Sequence, residues 1–530
     1  MQTACGRGSN PRGGILFLGT MNSALHWWNK WRHWEEKSSN YILASFLLLR
    51  VLGFVYFFAF LSLAVQVVPL IGENGLLPAS NFLDFYSSRS SNEFWNLPTI
   101  FWLHLSDHAL LYLTWFGVIL SLVVLIGYAN MPLMFLLWLF YLSYVNISQI
   151  WLSYGWEIML LETGFLAIFL CPLWNPRPFA KPPATVIWLF RWFAFRIFFG
   201  AGLIKIRADE CWRNLTCLYY HYETQPIPNP LSRLLHFAPG WFQKLSVLWN
   251  HFIELIVPFF VFHPRKLRII AGILLISFQL ILMASGNFSF LNWLAIVPCI
   301  ACFDDQFLRK FFPKRMLQNI GHVQQGSQKT HHGYAIAATF LLILVAWLSI
   351  PVIANMLSSH QIMNTSFNNL HLVNTYGMFG SVGKERYELI LEGTTDTAIT
   401  QQTQWKEFEF KAKPSNPYKN PPFIAPYQPR IDWQIWFAAM QTPQQNPWLI
   451  HLIWKLLHND ESALSLLANN PFPDAPPTFI RVQFYRYTFA PLGNDQSLVW
   501  QRELKGTWLP PLSVQTPELK SYIQSYGWDN

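Results

Sequence analysis

The chain is 530 residues long, 52% hydrophobic and 17% aromatic, with 26 tryptophans and only 12% charged residues. A soluble domain carries about a quarter of its residues as Asp, Glu, Lys or Arg, so this balance excludes an ordinary soluble protein. The net charge of +9 comes with no RNA- or DNA-binding motif; it reads as membrane topology, and no nucleic-acid partner is expected.

Four windows, 51–72, 108–156, 269–303 and 330–383, lack Asp, Glu, Lys and Arg altogether. About 20 apolar residues cross the hydrocarbon, so the second and third windows each have room for two helices. Spans are predicted near 42–70, 109–127, 131–149, 154–173, 185–205, 241–262, 267–284, 287–303 and 334–357, about nine in all. The fold class is therefore an α-helical multi-pass membrane bundle over 41–358, followed by a soluble β-rich α+β domain over 359–530. Residues 1–40 precede the first span without a small-residue cleavage site, which predicts an uncleaved anchor.

Lysine and arginine in the short loops orient the bundle. Arg7, Arg12, Lys30, Arg32 and Lys37 lie before it; Arg177 and Lys181, then Arg265, Lys266 and Arg268, then Arg309, Lys310, Lys314, Arg315 and Lys329 fall on the same side of a nine-span arrangement. That side is expected to be cytoplasmic, which puts loop 206–240 and the region after 358 in the extracytoplasmic space. Loop 71–108 agrees, with Arg89 set against Glu73, Asp84, Glu93 and Asp107.

Within the spans, Glu162 and Arg196 each lie 17 residues from a turn near residue 179, which predicts equal depth and an intramembrane ion pair. Arg50, Glu157 and Arg191 invite the same reading. Lys205 ends the fifth span, where it either snorkels to the interface or, in an apolar pocket, becomes a base or nucleophile. The loop that follows carries Arg207, Asp209, Trp212, Arg213, His221, Tyr222, Glu223, Gln225 and Asn229, candidates for binding a ligand or client. Alternating prolines at 226, 228 and 230 predict an extended, rigid recognition surface. Cys211 and Cys217 share this loop, so a disulfide closing it is plausible in an oxidising compartment. His251 and Glu254 are spaced to share one helix face, either as an acid/base unit or as a packing pair. Cys299 and Cys302 have redox spacing but lie in a membrane helix, where they read as small apolar fillers. No metal-ligand set, phosphate loop or serine elbow is present in the sequence, so no metal or cofactor is expected.

After residue 360 the period changes. Tyr387, Leu389 and Leu391 alternate with polar residues, Trp405, Phe408 and Phe410 do so loosely, and Ile480, Val482 and Phe484 strictly; these are predicted strands. Helical spacing covers 432–440, 448–458 and 461–468, the last with Asp460 as a plausible N-cap. Trp433, Trp436 and Phe437 are candidates for binding apolar client surface if exposed.

Several long strings resemble the lipase maturation factor family: Gly202–Arg207, Cys211–Arg213, Leu215–Cys217, His221–Pro230, Asn250–Glu254, Gly286–Trp293, Cys302–Asp305, Val373–Gly377, Lys384–Arg386, Asp432-Trp433 with Trp436–Ala439, and Asn470–Phe472. The match runs in order from about residue 50 to the C-terminus. The resemblance implies a membrane protein, resident in the endoplasmic reticulum in animals and in the inner membrane in bacteria. It further implies a factor needed to fold and assemble secreted homodimeric lipases, among them lipoprotein, hepatic and endothelial lipase, with the C-terminal domain holding the client in the lumen. The end of the fifth span is also similar to the membrane core of vitamin K-dependent carboxylase. That similarity implies the rival reading of a membrane enzyme with Lys205 as base and His251 and Glu254 beside it.

Overall fold

The computed structural model describes residues 40–89, 92–176, 179–318, 332–493 and 497–528. The basic N-terminal segment 1–39, Arg177 and Lys329 lie outside the described residues.

All nine predicted segments contain helix: α1 Ile42–Ala64, α2 Asp107–Ile126, α3 Met131–Ile147, α4 Gly155–Ile168, α5 Ala184–Ala208, α6 Gly240–Phe262, α7 Arg265–Ser285, α8 Leu291–Cys302 and α9 Ile336–Leu357. Six of them (α1, α2, α5, α6, α7 and α9) are long and apolar enough to cross a bilayer, and a seventh if α8 is joined to Asp305–Phe311 across a 109° bend. The expected count of about nine is therefore corrected downward. With 17 residues, α3 rises only about 26 Å against a hydrocarbon thickness of about 30 Å. Helix α4 has 14 residues and buries every side chain except Phe165, so its apolar run reflects contact with protein on all sides.

Distant polar groups complete the helix ends. The Asp305 carboxylate accepts from the backbone N–H groups of Ile42 (3.1 Å) and Leu43 (2.8 Å), closing the start of α1. Ser106 caps α2 and Asn130 caps α3, each accepting from the N–H three residues on.

The C-terminal region holds one antiparallel sheet in the order β2-β1-β3-β4, with β1 Arg386–Thr394, β2 Lys406–Glu407, β3 Phe479–Phe489 and β4 Trp500–Leu512. Leu389 faces Phe484 and Leu391 faces Val482 across β1 and β3. Helices α10 Arg430–Ala438, α11 Pro447–Leu457, α12 Glu461–Leu464 and α13 Pro517–Ser525 complete it. Asp460 caps α12 as predicted, accepting from Ala463 N at 2.7 Å. The loose alternation at 405–410 yields only the two-residue β2, while β4 and α13 had no counterpart in the predicted elements.

The sheet is not an independent globule, because a single apolar cluster runs from Ile42 through both regions to Trp528. Polar contacts lock the junction. Arg430 at the start of α10 donates to Glu157 Oε1 (2.8 Å) and to the Trp151 carbonyl (2.7 Å). Gln66, two residues past α1, donates to the Gln428 carbonyl and accepts from Arg430 N, and Trp156 Nε1 donates to Gln428 Oε1.

Candidate functional site

Lys205 sits one turn before the end of α5, and Gly202 precedes it on the same face. A Cβ at Gly202 would lie 2.7 Å from Leu255 Cδ2 and 2.9 Å from Glu254 Cβ, so only glycine lets α6 approach this closely. At the approach α6 widens into a π turn over Phe252–Ile256, an irregularity common at functional sites. The turn aims Glu254 inward. Lys205 Nζ then donates to Glu254 Oε1 (2.5 Å), Glu254 Oε2 (2.7 Å) and Asn250 Oδ1 (3.3 Å), and Asn250 Nδ2 donates to Glu254 Oε2 at 3.0 Å. Lys205 is 6% exposed, so the snorkelling reading is overturned. The acid/base pairing of His251 with Glu254 is also corrected, because His251 Nε2 lies 3.0 Å from the Trp212 carbonyl while Glu254 binds lysine.

The loop after α5 was predicted to be an extended recognition surface. Instead residues Leu218–Thr224 are helical, and His221, Tyr222, Glu223, Gln225 and Asn229 are all buried. Their chemistry serves the fold. Asn229 and Gln225 donate to the carbonyls of Met283, Ala284 and Ser285, satisfying the orphan acceptors at the end of α7. Glu223 accepts from Phe489 N at 2.7 Å. Burial raises its pKa, against the lowering effect of that N–H and of Arg386. Arg207 donates to Met356 O and Gln361, Asp209 caps Cys211 N and accepts from Val382 N, and Trp212 donates to Phe379 O. Arg213 is exposed. Cys211 and Cys217 are joined in a disulfide with Cα atoms 4.7 Å apart.

Glu162 and Arg196 meet as the turn geometry predicted. Around them wraps the segment 374–376: Asn374 N (3.0 Å) and Tyr376 Oη (2.6 Å) donate to Glu162, and Arg196 donates to Asn374 O. Arg50 and Arg191 find the backbone carbonyls of Gly127 and Ala301 rather than acids.

Between the bundle and the C-terminal sheet domain lies a cavity of about 1100 Å³, lined by α5, α6, α7, α8 and α10. Lys205, Asn250 and Glu254 stand in its wall together with His221 and Tyr222. Trp433, Trp436 and Phe437 line it from α10; Trp433 is 3% exposed and the other two are half-buried, so none of the three projects from the outer surface. Sequence reasoning missed Asn250, Gln279, Asn292 and Arg430, single polar residues with no spacing signal.

Residues 43–310 match the family model described as lipase maturation factor transmembrane domain, and residues 372–510 match the lipase maturation factor C-terminal domain. Lipase maturation factor 1 of Homo sapiens is 48% identical over 514 residues, covering 92% of this chain and 90% of the relative. The chain belongs to the lipase maturation factor family. Lipase maturation factor 1 of Bos taurus is 47% identical, covering 93% of this chain and 92% of the relative; lipase maturation factor 2 of Homo sapiens is 30% identical, covering 91% and 84%. No solved structure matches the chain. In this lipase maturation factor the Lys205–Glu254 pair and the cavity's membrane wall fall within the first matched region, and Trp433, Trp436 and Phe437 within the second. The long apolar helices and the family together make it an integral membrane protein.

Proposed function

We propose that this protein brings secreted lipases to their active, assembled form, acting from the membrane on a client that passes on its extracytoplasmic side. The observation that carries the reading is the 48% identity to lipase maturation factor 1 across both regions. Homodimeric lipases are the proposed clients and the endoplasmic reticulum membrane the proposed site in a eukaryote. The N-terminus then lies in the cytoplasm, and residues 206–240 and 359–530 face the lumen. The positive-inside pattern supports this orientation with seven spans, α8 and its bent continuation counted as one, since α3 and α4 then leave the count as a pair and later loops keep their side.

Complementation tests the function. In cells lacking their own maturation factor, expression of the full chain should restore secreted lipase activity without changing lipase mRNA. Unchanged lipase activity despite normal expression of the full chain would refute the reading. For topology, tags inserted near residue 220 and near residue 500 should share one accessibility, opposite to an N-terminal tag.

The rival enzyme reading asks for a lysine amine free to take a proton. Lys205 instead directs its amine at both oxygens of Glu254 and at Asn250, an arrangement suited to holding α5 and α6 together.

A further inference from the structure

The cavity has properties of its own that a scaffold does not require. Its volume of about 1100 Å³ lies just above the range of small-molecule sites, about 300–1,000 Å³. Most of its wall is apolar, with Met159, Phe198, Phe278, Leu291 and Ala295 among the lining side chains. Against this wall stand polar groups left without a protein partner. The His221 imidazole and the Tyr222 side chain are each 6% exposed and line the cavity. Among the described residues neither the imidazole nor the Tyr222 hydroxyl makes a hydrogen bond; His221 meets only the rings of Tyr222, Phe288 and Phe379. Gln279 and Asn292 bond to each other at 3.1 Å and line the same space. Buried polar groups are normally satisfied, so an unpartnered pair facing a cavity points to a ligand that partners it.

Charge narrows the class. Lys205 is neutralised by Glu254, and burial, then Lys205, pushes the His221 pKa down to about 3, leaving the imidazole uncharged. Among the described lining residues no net charge remains to recruit a carboxylate or phosphate. The access route narrows it further. Leu245 and Leu248 of α6 and Ile281 of α7 line the cavity, yet they are 56%, 49% and 52% exposed, on helices apolar enough to span a bilayer. The opening between α6 and α7 therefore gives onto lipid. A peptide segment entering there would bring backbone N–H and C=O groups that this wall cannot satisfy.

We propose that the cavity binds a long-chain acylglycerol, an uncharged lipid entering from the bilayer between α6 and α7, with its chain among the apolar residues and its hydroxyl and ester groups at His221 and Tyr222.

The test uses the full-length protein in nanodiscs and a monoacylglycerol with a diazirine in its chain, with crosslinked residues mapped by mass spectrometry. Crosslinks are expected at Phe278, Leu291 and Trp436, competed by unlabelled monooleoylglycerol and at least tenfold more weakly by oleate or phosphatidylcholine. Ala201→Phe, which fills the cavity from a half-buried position, should abolish them; His221→Phe, similar in shape among its aromatic neighbours, should weaken competition about fivefold, the loss of one neutral hydrogen bond. Thermal melting of both variants checks the fold. Crosslinks confined to the outer helix faces, persistence in a folded Ala201→Phe, or equal competition by oleate would overturn the proposal, as would displacement of the probe by an apolar client peptide but not by monooleoylglycerol.

Discussion

Lys205→Met separates structure from chemistry at the centre of the bundle. The substitution keeps much of the side-chain volume and removes the ammonium, leaving Glu254, 4% exposed, with only the Asn250 amide at 3.0 Å to bond it. Removing one member of a buried pair leaves an uncompensated charge and costs about 3–5 kcal/mol, whereas replacing both members by apolar residues is often nearly neutral. Lys205→Met and Glu254→Met should therefore each destabilise by about 3–5 kcal/mol, and the double variant should recover most of the loss, giving a coupling of about 4 kcal/mol or more. Unfolding in mixed detergent–SDS micelles measures all four corners of the cycle, and lipase complementation is read on the same set. In the structural account maturation tracks stability, so the double variant regains both. A Lys205→Met protein of wild-type stability that had lost maturation would refute the account and return the lysine to chemistry.

Gly202→Ala should cost about 1–3 kcal/mol, because its Cβ meets Leu255 and Glu254 at 2.7 and 2.9 Å; unchanged melting would show that α6 gives way freely. Arg430→Ala strands the buried Glu157 and should cost about 3–5 kcal/mol; limited proteolysis should then cut between the bundle and the sheet, and resistance equal to wild type would count against the junction. Burial raises the Asp432 carboxyl from 3.8 to about 6 despite the N–H groups of Lys413 and Ala412 that it accepts. A carboxyl whose folded pKa lies above its unfolded one contributes stability that is present at low pH and lost as pH rises through the window from about 4 to 6. Asp432→Asn should flatten that slope and stabilise the protein at pH 7, by at most about 3 kcal/mol at 1.36 kcal/mol per unit; an unaltered pH profile of melting would refute this.

Much of the bundle was legible because apolar runs and helix punctuation are local signals. The depth of Glu162 and Arg196 followed from counting about a shared turn. The number of crossings was not legible, since the buried α4 and a lipid-facing span have the same composition. Strand β4 escaped because it is an edge with both faces largely exposed, so no alternation marks it. The partnership of Lys205 with Glu254, 49 positions apart, needed Gly202 to admit α6 and a π turn to aim the carboxylate, and Arg430 reaches Glu157 across 273 positions. Contacts of that range leave no pattern in either segment. Hydropathy placed the loop 206–240 outside the spans, but it could not reveal that its Gln225 and Asn229 are spent capping α7.

Arg386, fully buried in β1, donates to the carbonyls of Glu223, Gln225 and Pro226, more than 150 positions earlier in the chain. Those carbonyls can be gripped only after the ribosome has delivered the second half of the polypeptide. Until then the stretch beside the cavity is held from one side alone, by the bonds of Gln225 and Asn229 to the end of α7, and the second grip arrives with β1.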